Sequence, residues 1–101
     1  GWTNAAPGGG PAPALTSLTP ATVALGAPSF TLHVRGTGFV DGAVIVFAGH
    51  DEPTTWVSAT EVTTGVDMSV WLGPDPAVPV VVRDVEGASS NVLTFAFTAA
   101  R

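Results

Sequence analysis

From Ser29 to Arg35 the apolar residues Phe30, Leu32 and Val34 alternate with Thr31, His33 and Arg35. A period of two is the signature of a strand with one buried face, so His33 and Arg35 are expected to turn toward water. Gly36 and Gly38 follow, and glycine permits positive φ or a close backbone approach. The chain can therefore bend sharply there and drop Phe39 into the core, a structural corner made by Gly36, Gly38 and Phe39. The same period returns near the C-terminus, where Leu93, Phe95 and Phe97 alternate with Thr94, Ala96 and Thr98.

Other stretches are shorter or less regular. Ala43–Ala48 is a continuous apolar run rich in β-branched residues, too short for a helix, and predicts a central strand. Thr60–Met68 puts Val62, Thr64, Val66 and Met68 on one side, with Gly65 marking a bulge or a close approach. Val78–Arg83 is strongly β-prone, with Val80 and Val82 inward and Pro79 near the strand start. Ala14–Leu18 predicts an edge strand ended by Thr19-Pro20, and Val23–Leu25 is expected to continue on another sheet. Thr54–Ser58 adds a strand carrying Trp56 and Val57. Between them lie turn signals at Gly26-Ala27-Pro28, Asp41-Gly42 and Asp84-Val85-Glu86-Gly87, the last closing a hairpin. Gly49–Pro53 reads as a polar loop and Ser69–Ala77 as irregular. About seven short strands at this spacing, with no helical period and no internal repeat, predict an all-β sandwich.

Composition bounds the picture. A chain of 101 residues supports one core, and 46% hydrophobic residues supply the material for it. Gly1–Pro13 is too rich in glycine, proline and alanine to hold a ladder and reads as a linker. The expected organisation is a linker over 1–13, a domain over 14–98 and a short tail over 99–101. Trp2 is costly to expose, and reads as the end of a preceding domain or as an anchor that docks back. The chain begins with Gly1, carries no visible signal peptide, and is read as a piece tethered to a larger parent.

Charge narrows the partners. Eight carboxylates face three arginines and no lysine, for a net charge of −5, which disfavours nucleic acid and anionic membrane surfaces. No apolar run is long enough to insert in a bilayer. Without cysteine there is no disulfide, thiolate nucleophile or Cys-based zinc site.

The candidate chemistry is sparse. His50-Asp51-Glu52 with His33 resembles a ligand set only loosely, because consecutive loop residues do not converge on one ion. Asp84, Glu86 and Asp75 lack the alternating spacing of a calcium loop. Ser17, Ser29, Ser58, Ser69, Ser89 and Ser90 sit in turns or at strand edges without a Gly-x-Ser-x-Gly elbow, so no enzyme, cofactor or metal is expected. Gly36-Thr37-Gly38 has no helix after it and cannot cradle phosphate. Trp56 and Trp71 form the candidate binding surface, since a surface indole can stack on a sugar ring or anchor a protein interface. They could equally cover the open edge of the core.

The order of signals resembles the IPT/TIG domain. The matching features are the strand ending at Pro20, the Gly36-Thr37-Gly38-Phe39 corner, the run from Ile45 to Gly49, Val80-Val81-Val82, Gly87, Ser90-Asn91, and the close on Leu93-Thr94-Phe95. The likeness covers about 14–98, with a departure at Trp71–Ala77. It implies an immunoglobulin-like β-sandwich and a functionally broad family found on cell-surface receptors, bacterial surface proteins and phage virion tail and capsid proteins. DNA-binding members rely on basic loops, and this chain has only Arg35, Arg83 and Arg101. The expected function is a non-enzymatic structural or adhesion module on a phage virion or bacterial cell surface, meeting a protein or surface glycan. The alternative is a carbohydrate-binding accessory module of a secreted hydrolase, and self-association through an edge strand is a third reading.

Overall fold

The computed structural model describes residues 12–70 and 77–98. Its strands are β1 (Ala14–Thr19), β2 (Thr22–Ala24), β3 (Phe30–Thr37), β4 (Val44–Phe47), β5 (His50–Glu52), β6 (Thr55–Ser58), β7 (Glu61–Val66), β8 (Ala77–Arg83) and β9 (Leu93–Thr98). They form a four-stranded sheet in the order β1-β3-β7-β6 and a five-stranded sheet in the order β2-β9-β8-β4-β5. All pairings are antiparallel except β2 with β9. Two sheets in this order, with the first run of chain shared between them, define an immunoglobulin-like β-sandwich. A single 3₁₀ turn at Met68–Val70 is the only helical element among the described residues.

The alternating residues meet between the sheets. Leu32 and Val34 of β3 and Val62 of β7 are fully buried from one side, and Ile45, Val80, Val82 and Phe95 from the other. Phe95 is the centre of an aromatic cluster, with ring centroids 5.7 Å from Phe30, 5.5 Å from Phe47 and 5.1 Å from Phe97. Offset and edge-to-face contacts of this kind stabilise beyond their buried area. Thr64 is the one hydroxyl drawn into this layer among the buried residues, and it donates to the Pro53 carbonyl at 2.7 Å. That bond ties β7 to the connection that carries the chain from β5 in one sheet to β6 in the other.

The corner does what its residues imply, with the two glycines in different roles. Gly38 has φ of 79°, a left-handed conformation that side chains other than glycine adopt at a cost. Gly36 is needed for space: a Cβ there would collide with the Ala14 carbonyl oxygen of β1. Phe39 ends up 2% exposed, its amide donating to the Ala59 carbonyl. At Thr19-Pro20 the chain leaves the first sheet, and Thr22–Ala24 joins β9 in the second. The Thr19–Pro20 peptide is cis.

Three expectations need correction. The stretch His50–Glu52 is a strand and not a polar loop, because Ala48 and Gly49, with φ of 54° and 83°, make a two-residue hairpin that lays His50 opposite Phe47. Positive φ at both central residues is the geometry that matches strand twist. Gly65 marks neither bulge nor close approach, since it lies in regular register with Thr31 and a Cβ there would meet nothing. With β2 and β5 counted, the described residues form nine strands, against about seven expected. Bulges fall instead in β1 between Leu15 and Ser17 and in β6 between Trp56 and Ser58.

Candidate functional site

Trp56 sits on β6, an edge of the first sheet, in register with the buried Val62. Directly opposed residues share a face of the sheet, so the indole leans over the rim of the core. Its Nε1–H donates to the Phe39 carbonyl at 3.2 Å, which fixes the ring against the corner and leaves the residue 40% exposed. Val40 and Val57, next in the chain to Phe39 and Trp56, are 47% and 51% exposed. Trp71 and Asp75 lie outside the described residues, so the pairing of Trp56 with Trp71 is not defined there.

Two groups of charged side chains are paired. His33 Nδ1 and Glu61 Oε2 are 2.6 Å apart, with the Arg35 guanidinium 3.8 Å from the same oxygen. Arg35 also donates to Thr19 Oγ1 at 3.1 Å. His33 therefore stands in the sheet opposite to the one that holds His50, and the two histidines do not converge. Asp51 forms a two-pronged pair with Arg83, at 2.6 and 3.2 Å. The Arg83 hydrogen bond holds the Asp51 carboxyl below the ordinary carboxylate range and raises the guanidinium pKa. Asp67 is likewise lowered, by the hydroxyl and the amide of Ser69.

Asp84 Oδ1 accepts the amides of Glu86 and Ala88 at 2.9 and 3.0 Å, which makes it the organiser of the β8–β9 turn. Among the described residues no three His, Asp or Glu side chains group as a cation site, and no helix is long and apolar enough to cross a membrane.

Ser90 and Asn91 carry more structure than their positions suggest. Asn91 accepts the Leu15 amide at 2.7 Å and donates to the Leu15 carbonyl at 3.1 Å, clamping β1 of one sheet to the loop before β9 of the other. Ser90 Oγ accepts the Val82 amide at 2.9 Å. Nothing in the local sequence marks this clamp, because the partner is 76 residues away. An open depression of about 520 Å³ lies near the start of β3, between Phe30, Thr31 and Gly65, rimmed by Ser29 and Asp67.

Compared with known proteins, the chain matches no family model and no curated sequence. Its class is therefore defined by the fold: an immunoglobulin-like sandwich with polar groups that serve turns, pairs and clamps.

Proposed function

We propose that this chain is a non-enzymatic spacing and weak-adhesion module of a larger protein, of the IPT/TIG kind, carried on a phage virion or bacterial surface. The observation that supports it most is where the chain passes through the fold. Pro13 packs near Gly38 at the pole that holds the β3–β4 corner, whereas Thr98 closes β9 beside Leu25 at the opposite pole, its carbonyl accepting the Leu25 amide at 2.9 Å. A module crossed from pole to pole separates whatever precedes it from whatever follows. Asp84, Asp51, His33 and Glu61, the groups that chemistry would need, are engaged in turns and pairs, which supports a role without catalysis.

A carbohydrate-binding accessory role is the second reading, favoured by the exposed indole of Trp56. A glycan array distinguishes the two. The spacing reading expects no saturable sugar binding. Saturable binding that Trp56→Ala abolishes at an unchanged melting midpoint would replace it with the carbohydrate reading.

A further inference from the structure

Five large hydrophobic side chains are exposed among the described residues: Val40, Trp56, Val57, Val85 and Val92. Three of them meet the corner at 36–42 that leads from β3 toward β4. Val40 is part of it. The Trp56 indole is bonded to it, since Nε1–H donates to the Phe39 carbonyl, which belongs to the peptide leading into Val40. Val85 lies against it. There the Ala43 amide donates to the Val40 carbonyl at 3.0 Å, closing a turn with Asp41 and Gly42 at its tip, and a Cβ on Gly42 would collide with Val85 Cγ1. Val85 is the most exposed of the five, at 60%.

The chain enters the fold at the same corner. Pro13 is buried, with its Cα 3.4 Å from where a Cβ of Gly38 would stand, and Ala12 before it is exposed. Residues 1–11 lie outside the described residues. Their sequence carries no charged side chain and a single large apolar one, Trp2.

We propose that Trp2 docks on this corner of its own chain, against the exposed apolar surface of Val40, Trp56 and Val85. Trp2 is ten residues from Ala12, and a Gly-rich linker of that length spans roughly 16 to 19 Å r.m.s.. The four steps from Gly38 to Gly42 cover at most about 14 Å. A tether whose span matches its target holds the tethered group at an effective concentration in the millimolar range, so a contact too weak to form between separate molecules is populated within one. The eight carboxylates all lie at Asp41 or beyond, and a segment without charge approaches them without repulsion. A buried indole N–H also needs an acceptor. Asp41, exposed at the tip of the turn, offers a carboxylate with no hydrogen bond or ion pair among the described residues. The inference stands apart from the spacing reading, because it concerns how the chain enters the module and not what the module meets.

Nuclear Overhauser contacts in the full chain test this. The Trp2 ring should show contacts to the methyl groups of Val40 and Val85 that are unchanged on about tenfold dilution. Trp2→Ala should shift the amide resonances of 40–42 and Val85, and leave those of Thr31 and Gly65, at the other end of β3, in place. Val85→Ser should remove the Trp2 contacts without moving the core methyl resonances of Val34 and Val62, and Val40→Ser gives the same readout should Val85→Ser disturb its own turn. A Trp2 ring without contacts to 12–98 overturns the proposal. So do contacts that fade on dilution, which would assign the corner to a second copy, and contacts made only to Val57 or Val92, which would put Trp2 on another surface.

Discussion

Phe39 is the side chain on which the corner depends, and its removal leaves a space bounded by strands that cannot collapse into it. Phe39→Ala is expected to cost about 3 to 5 kcal/mol, measured as a shift in the denaturation midpoint at constant m-value. At Ala48 the stress is conformational: a φ of 54° is tolerated by Asn and Gly but strongly disfavoured for a β-branched residue. Ala48→Val should lower stability by about 1 to 2 kcal/mol, while Ala48→Asn should fold as well as the parent. Asn91→Ala leaves both backbone groups of Leu15 without their partner, at a cost of about 1 to 3 kcal/mol, and the Leu15 amide should exchange hydrogen faster than its neighbours in β3.

Asp51 supplies the pH-dependent case. Its folded pKa lies below the ordinary value of about 3.9 because Arg83 bonds the charged form. The pair thus contributes at pH values above the unfolded pKa and loses its contribution as pH falls through the folded one. Replacing Arg83 with Met should raise the Asp51 pKa in an NMR titration. Because both groups are exposed, the change in stability should be small and salt-sensitive.

Among the elements, those with a buried face were legible. The alternation of β3, β7 and β9 reproduces their burial almost residue by residue: Val62, Thr64, Val66 and Met68 all turn inward as their spacing implies. The switch of sheets after Pro20 was also readable, because proline ends one ladder and the apolar Val23 needs another. What escaped were features set by partners distant in sequence. β5 is polar along its length and becomes a strand only because the Ala48-Gly49 turn folds it onto β4. Gly65 looked like a bulge although it lies in regular register with Thr31. The Asn91 clamp follows from the crossing of sheets, which no local pattern encodes. Trp56 was ambiguous by composition, and its placement resolves part of the question: the indole covers the core rim through Phe39 and still leaves a face in water.

At the scale of the whole molecule, the sandwich is a passage for the chain from one pole to the other. The path has mechanical consequences. A load applied at Pro13 and Thr98 acts on β1, held by Asn91, and on the parallel β2–β9 pair, whose bonds are sheared together rather than peeled one by one.

The most direct test of a spacing module is therefore forced unfolding of the chain held by its two ends. The account predicts a single cooperative rupture that releases the whole of 14–98, about 280 to 310 Å of extended chain, and a lower rupture force in Asn91→Ala. Gradual extension with no distinct rupture, or release of β1 and β2 well before the rest, would contradict it.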